Sequence, residues 1–81
     1  MHVQVQFWSY FTELAGTNQV VAELPLGSKV EELLHWIYQR HPRLAAMRNS
    51  TLVAVGVDYQ GGSYELKDGD EVSLFPPVQG G

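Results

Sequence analysis

One amphipathic helix, predicted over residues 28–41, separates two stretches of strand-like sequence and is the feature that most constrains the fold. Ser28 stands three residues before Glu31, which is the spacing of a capping box at a helix N-terminus. Pro42 disfavours helical geometry in the residue before it, so the helix is expected to end near residues 40–41. The apolar positions recur at i, i+3, i+4 and i+7 and predict one buried stripe: Val30, Leu33, Leu34 and Ile37.

Strand-like sequence lies on both sides of this helix. Residues 2–8 alternate between apolar and polar side chains, which predicts a half-buried strand with Trp8 on the face opposite the apolar one. The apolar face of that strand is formed by Val3, Val5 and Phe7. Four more runs have the composition of strands or of a short edge strand: residues 19–24, 51–55, 56–64 and 71–75.

This order of elements predicts an α+β fold. One helix between two pairs of strands would pack across one face of a mixed sheet of four to five strands. The length allows one domain, residues 1–75, followed by a tail, residues 76–81. Residues 9–16 are expected to add one helical turn after the first strand, and Asp68-Gly69 predicts a tight turn before the last.

The second face of such a sheet would lack a covering helix. The last strand is expected to point Val72 and Leu74 inward, which leaves Phe75 on the open face together with Trp8. Neighbouring exposed aromatic side chains are typical of a partner interface. The alternative is that loop residues such as Tyr10 or Tyr59 cover them.

The tail combines a stiff base with a supple tip. Pro76 and Pro77 each fix φ and favour extended geometry, whereas Gly80 and Gly81 have no Cβ and allow close approach to another surface. Six extended residues reach roughly 20 Å, which is enough to enter a pocket on a second protein. A frayed chain end is the alternative reading.

Composition and motifs exclude several classes of function. The sequence has no cysteine, so no disulfide, thiolate metal site or cysteine nucleophile is expected, and its three histidines lack metal-ligand spacing. A net charge of −4 without a basic cluster argues against nucleic acid as a partner. The absence of a leader-like or membrane-spanning run predicts a soluble cytoplasmic protein.

The remaining candidate reactive group is the carboxylate of Gly81. An α-carboxylate has a pKa of roughly 3.5, so it is ionised and unreactive towards nucleophiles at neutral pH. Adenylation would activate it, and a sulfur donor would then leave a thiocarboxylate on Gly81. A chain without cysteine would thereby carry mobile sulfur.

Three segments resemble a known family. They are Phe-Thr-Glu-Leu-Ala-Gly-Thr at 11–17, Thr-Leu-Val-Ala-Val at 51–55, and Leu-Lys-Asp-Gly-Asp-Glu-Val-Ser-Leu-Phe-Pro-Pro-Val-Gln-Gly-Gly at 66–81. The sequence is similar over its full length to the small sulfur-carrying subunit of molybdopterin synthase, one of the ubiquitin-like sulfur carriers. The 66–81 segment is the most specific, because a final glycine pair alone would fit any ubiquitin-like carrier.

The resemblance implies a β-grasp fold and a carrier without a permanently bound cofactor or metal. A ubiquitin-activating-type enzyme would use ATP to adenylate Gly81. After conversion to the thiocarboxylate, the tail would be inserted into the active site of the large synthase subunit. Catalytic groups of the large subunit would transfer the sulfur to cyclic pyranopterin monophosphate. The carrier and the large subunit would form a heterotetramer. The residues implied are the interface pair Trp8 and Phe75, and the inserted tail Pro76, Pro77, Val78, Gln79 and Gly80.

The chain departs from the family pattern at two places. The family often has an arginine within the segment that is Tyr10-Phe11-Thr12 here, and an asparagine where this chain has Gly56. Three other functions remain open: a sulfur carrier for thiamin or another pathway, a ubiquitin-like modifier that forms isopeptide bonds, and a plain interaction module.

Overall fold

The computed structural model describes residues 1–77. Five strands, three α-helices and one 3₁₀ turn follow one another along the chain. They are β1 (His2–Phe7), α1 (Phe11–Ala15), β2 (Gln19–Glu23), α2 (Val30–Arg40), α3 (Pro42–Ala45), the 3₁₀ turn (Arg48–Ser50), β3 (Leu52–Val55), β4 (Asp58–Tyr59) and β5 (Glu71–Phe75).

The strands form one mixed sheet in the order β2-β1-β5-β3-β4. The hairpin of β1 and β2 is antiparallel, the central pair of β1 and β5 is parallel, and β3 runs antiparallel to both β5 and β4. Helix α2 packs on one face, so the α+β, β-grasp arrangement that the sequence predicted is confirmed, with five strands. Because the central pair is parallel, the C-terminal ends of β1 and β5 lie side by side at the same end of the sheet.

The core lies between α2 and the inward face of the sheet. Alternation puts Val3, Val5 and Phe7 of β1 and Val72 and Leu74 of β5 in this layer, all of them at most 1% exposed. The helix contributes its predicted stripe, because Val30, Leu33 and Ile37 are fully buried and Leu34 packs at the margin.

The N-terminus of α2 differs from the sequence prediction by one residue. Lys29, not Ser28, is the N-cap, and its backbone N–H donates to the Glu32 carboxylate at 3.1 Å. A lysine ammonium has no acceptor, so only this half of a capping box forms. Ser28 is buried, and its hydroxyl donates instead to the carbonyl oxygen of Pro25 at 2.8 Å. The predicted pair of Ser28 and Glu31 is therefore wrong.

The first strand ends one residue earlier than predicted. Trp8 still donates its backbone N–H to the carbonyl of Leu74 at 3.0 Å, but Ser9 has φ +56° and turns the chain into α1. Ser9 is the one non-glycine residue with positive φ in residues 1–77. The predicted helical turn then follows, with Phe11 buried and Gly16 closing it at φ +77°.

Replacing Ser9 by glycine is expected to stabilise the fold. A left-handed conformation costs an L-residue roughly 1–2 kcal/mol, and the larger unfolded-state entropy of glycine cancels about 0.5–1 kcal/mol of that gain. Ser9→Gly should therefore raise the free energy of unfolding in a urea titration by up to about 1.5 kcal/mol. Ser63, an exposed turn residue without positive φ, is the matched control, and a Ser63→Gly variant should gain nothing. A loss of stability in Ser9→Gly would contradict this reading.

Within residues 1–77, no helix is both long and apolar enough to cross a bilayer. The same part of the chain contains no group of three or more His, Cys, Asp or Glu side chains that could hold a metal ion.

Candidate functional site: a groove on the open face

An apolar groove of about 650 Å³ lies on the sheet face opposite α2. Its lining comes from the C-terminal end of β1, from β3 and β4, and from the end of β5 and the residues after it. We call it the open-face groove, and the residues that define it are Trp8, Tyr10, Ala54, Tyr59, Phe75 and Pro76.

Strand pairing explains why these residues meet. Parallel pairing sets Phe7 beside Leu74. The residues that follow them, Trp8 and Phe75, therefore lie on the opposite face at the same end of the two strands. Antiparallel pairing sets Ala54 beside Ser73, and Ala54 is paired on its other side with Tyr59. The small Ala54 side chain leaves a depression between larger neighbours.

The two predicted interface residues therefore lie in one groove. Trp8 is half exposed, at 50% of its full surface, and Phe75 is partly buried. Phe75 contacts Tyr59, with ring centroids 5.7 Å apart. Tyr59 thus shields part of Phe75, as the alternative reading anticipated, but Tyr59 is itself 68% exposed and extends the aromatic surface. The interface role of Trp8 and Phe75 stays a prediction.

Two backbone features shape the rim of the groove. Ser9, with its left-handed conformation, lies between Trp8 and Tyr10 and points both towards the same concavity. Gly56 on the opposite rim has φ +61°. Asparagine is one of the few side chains that tolerate this conformation, so glycine here and the asparagine of the family pattern meet the same backbone requirement.

The lining of the groove has the composition of a docking surface. Its polar side-chain groups are the hydroxyls of Ser9, Ser73, Tyr10 and Tyr59 and the indole N–H of Trp8, and no carboxylate, histidine or cationic side chain belongs to its described lining. An exposed aromatic concavity without charged side chains fits the buried centre of a protein–protein contact.

The tail begins at this groove. Pro76 is partly buried and Pro77 exposed, and both border the groove directly after β5. Chain that continues past Pro77 therefore starts beside the aromatic surface. The other predicted tail residues, Val78, Gln79, Gly80 and Gly81, lie outside the described residues, and their insertion and chemistry stay predictions.

The sequence predicted Trp8 and Phe75 on this face. It did not predict that Ala54, Ser73 and Val57 also line the groove. Ala54 and Ser73 looked like ordinary strand residues, and Val57 like a loop residue. The phase of β5 already placed Ser73 on the face of Phe75, which was a usable signal. The contribution of Ala54 depended on the pairing of β3 with β5, which sequence alone did not specify.

Comparison with known proteins decides the family. The model of the ThiS family matches residues 5–81. The chain belongs to the ThiS family. This match begins within β1, covers every later element and includes the glycine pair.

Curated relatives extend over the whole length. The molybdopterin synthase sulfur carrier subunit of Chlamydomonas reinhardtii is 35% identical, and all of both chains is covered. The subunit of the same name from Escherichia coli is 36% identical, over 98% of this chain and 99% of the relative.

Solved structures share the architecture. A putative molybdopterin converting factor subunit 1 from Pyrococcus furiosus matches with a TM-score of 0.83 and 32% identity, over 96% of this chain and 99% of the other. In a complex of subunits 1 and 2 of the molybdopterin-converting factor of Helicobacter pylori, one chain matches with a TM-score of 0.71 and 27% identity over all of both chains. SAMP1 of Haloferax volcanii matches with a TM-score of 0.91 but 22% identity, which shows the shared fold of this ThiS-family chain.

Proposed function

We propose that this ThiS-family chain is the sulfur carrier subunit of a molybdopterin synthase. The observation that carries the proposal is the full-length similarity to subunits of that name at 35% and 36% identity. The open-face groove supports it, because an aromatic docking surface borders the start of a segment that ends in Gly80-Gly81.

In the proposed cycle Gly81 carries the sulfur. The Gly81 carboxylate attacks ATP on a ubiquitin-activating-type enzyme, which forms an acyl-adenylate and releases pyrophosphate. Sulfide-level sulfur, as HS⁻, then attacks the carbonyl carbon, displaces AMP and leaves a thiocarboxylate after loss of its proton. The nucleotide binds to the activating enzyme, and the carrier itself needs no resident cofactor. The cycle would run in the cytoplasm.

The proposed partner of the sulfur-loaded carrier is the large synthase subunit. The solved Helicobacter pylori complex contains subunits 1 and 2 of a molybdopterin-converting factor, which is a precedent for such a partner. The carrier would dock on the large subunit through the open-face groove. Pro76 and Pro77 would direct Val78, Gln79 and Gly80 into the active site of the large subunit. There sulfur would pass to cyclic pyranopterin monophosphate. Two such pairs would form the heterotetramer.

Reconstitution tests this function. The chain, co-expressed with its activating enzyme, is expected to show by intact-mass spectrometry the replacement of one oxygen by sulfur, located at Gly81 by fragmentation. The sulfur-loaded carrier with the large subunit should convert cyclic pyranopterin monophosphate to molybdopterin. Rescue of a strain lacking a thiamin sulfur carrier, without rescue of one lacking the molybdopterin carrier, would favour the thiamin pathway instead.

The open-face groove gives a sharper prediction about docking. Trp8→Ala should weaken binding to the large subunit by about 30-fold or more, because a central aromatic anchor contributes roughly 2 kcal/mol or more. Phe75→Ala should act in the same direction. Titration calorimetry on the purified subunits measures both.

A matched control is available for this experiment. Leu26 is 81% exposed on the loop after β2 and lies outside the groove, so Leu26→Ala should leave the affinity unchanged. Equal affinities of Trp8→Ala and the parent chain would remove the groove from the interface, while sulfur loading at Gly81 would still test the carrier role separately.

A modifier role is the second candidate. A small archaeal modifier protein 1 from Methanosarcina acetivorans matches with a TM-score of 0.83 and 25% identity. That role predicts lysine-linked conjugates of the chain in cells, which disappear when Gly81 is deleted. The carrier role predicts free thiocarboxylate and no such conjugates.

A further inference from the structure

The free edge of β2 is the starting point for a second binding site. Strand β2 is the outermost strand of the sheet on the β1 side and is five residues long, whereas the opposite edge strand, β4, has two residues. An open edge of this length presents backbone donors and acceptors to an incoming strand unless the protein blocks them.

Hydrogen bonding of the hairpin shows which groups point outward. Leu24 donates to the carbonyl of Met1, and Phe7 donates to the carbonyl of Asn18, both at 2.9 Å. Bonded pairs alternate along an antiparallel ladder, so the backbone N–H and C=O groups of Val21 face away from β1.

Thr17 blocks one end of this edge, and the exposed carboxylate of Glu23 lies at the other. The same alternation turns the backbone of Gln19, Val21 and Glu23 outward. The Thr17 hydroxyl donates to the carbonyl of Gln19 at 3.1 Å and protects that end. Val21, in the middle, is 59% exposed and carries no charge. The centre of β2 is therefore available for pairing.

A groove of about 620 Å³ runs beside this edge, on the side of α2. We call it the edge groove, and it is lined by Val21, Glu23, Leu24, Pro25, Trp36 and Arg40, together with Met1. Alternate side chains of a strand added to β2 would point into it, next to the helix.

Arg40 supplies the charge recognition in the edge groove. Its guanidinium lies 3.9 Å from the centre of the Trp36 ring, so the stacked face is fixed and the N–H edges remain free for an acceptor. Among residues 1–77, no side-chain acceptor is hydrogen-bonded to it. It is the only cationic side chain in the lining described here, and Glu23 is the only anionic one. A planar fork of donors without an acceptor is complementary to a carboxylate.

We infer that the β2 edge and the edge groove bind an extended acidic peptide segment of a partner protein, which adds as an antiparallel strand. Its backbone pairs with Val21, one side chain packs as an apolar group on Trp36, and a carboxylate two residues further along reaches Arg40. Such strand addition takes affinity from main-chain hydrogen bonds and specificity from alternate side chains. The edge groove shares no lining residue with the open-face groove, so both could be occupied together.

Spacing along the groove sets the order of the two side chains. Trp36 also borders Pro25 and Ser28, which places it towards the C-terminal end of β2. Arg40, one helical turn later, lies nearer the middle of the strand. In an antiparallel peptide the apolar residue therefore precedes the acidic one.

Charge argues against a second copy of this chain as the occupant. Two-fold pairing about Val21 would bring together two α2 helices that present the same Trp36 and Arg40 surface, so like charges would face each other where Arg40 needs a carboxylate. The net charge of −4 decides neither case. The remote charges act weakly on a short peptide at Arg40, because screening reduces interactions beyond about 8 Å at physiological salt.

The test is an NMR titration of the ¹⁵N-labelled protein with an acetylated, amidated pentapeptide of sequence threonine–valine–threonine–aspartate–threonine. The expected result is saturable movement of the backbone amide signals of Val21 and Glu23 and of the indole N–H of Trp36. Exchange of the peptide aspartate for asparagine should weaken binding roughly tenfold, the usual effect of losing a charge-assisted hydrogen bond. N-methylation of the central threonine, which removes the bond to Val21, should abolish binding.

Protein variants separate recognition by Arg40 from general electrostatics. Arg40→Gln should weaken the aspartate peptide roughly tenfold and leave the asparagine peptide unaffected. Arg43→Gln removes an equal charge from exposed α3, outside the groove, and should change neither.

Three results would overturn the inference. The first is the absence of saturable shifts at Val21 and Glu23 up to about 5 mM peptide, a concentration well above the dissociation constant expected of so short a segment. The second is equal binding by the N-methylated peptide. The third is concentration-dependent association of the chain alone in sedimentation velocity with shifts at the same residues, which would assign the edge to a second copy.

Discussion

Deletion of Gly81 is expected to abolish sulfur loading completely, because the proposed thiocarboxylate is formed on the α-carboxylate of that residue. The shortened chain would present Gly80 one residue too early, about 3.3–3.6 Å short of the reacting position. A misplacement of even 1 Å can cost about 100-fold in rate, so residual transfer should be undetectable. Intact-mass spectrometry after incubation with activating enzyme, ATP and sulfur donor measures the loss.

The deletion should leave folding unchanged, since the buried core residues lie between Val3 and Leu74. Urea titration and binding to the large subunit through the open-face groove provide the controls. A chain without Gly81 that still gains sulfur would place the reactive group elsewhere. A chain that loses both binding and stability would make the experiment a test of the fold, and Gly81→Ala would then replace it.

Phe7→Ala is expected to have the largest effect on stability. Phe7 is 1% exposed at the end of β1, and its ring contacts the edge of His41 with centroids 5.6 Å apart. Truncation of a buried phenylalanine costs about 3–5 kcal/mol, partly from lost transfer energy and partly from the cavity. Domains of this size have roughly 4–12 kcal/mol in total, so much of the stability would disappear. Urea denaturation followed by circular dichroism gives the difference.

Phe75→Ala is the matched control for this substitution. It removes the same atoms from the end of β5, but Phe75 is only partly buried and faces the open-face groove. Its loss of stability should be clearly smaller than that of Phe7→Ala, while its effect on partner binding should be larger than expected from stability alone. Similar losses for the two variants would contradict the assignment of the two faces.

Local patterns in the sequence were reliable where burial acts on one face of one element. Alternation in β1 identified Val3, Val5 and Phe7 as buried, and helical spacing identified Val30, Leu33 and Ile37. The prediction for the start of α2 was wrong because a capping motif was read from spacing alone. Ser28 satisfies its hydroxyl on the carbonyl of the preceding turn, and tertiary burial overrode the local preference.

The sequence by itself determined the type and order of the main elements, the inward and outward phase of β1 and β5, and the family through its full-length pattern. The elements and their phases depend on contacts that recur within a few residues. Only the tertiary structure decided that Trp8 and Phe75 share a groove with Ala54 and Tyr59, because that depends on parallel pairing of β1 with β5 across about 70 residues of chain. The position of Arg40 on Trp36 beside the β2 edge likewise arises from the packing of α2 on the sheet, which no local pattern specifies.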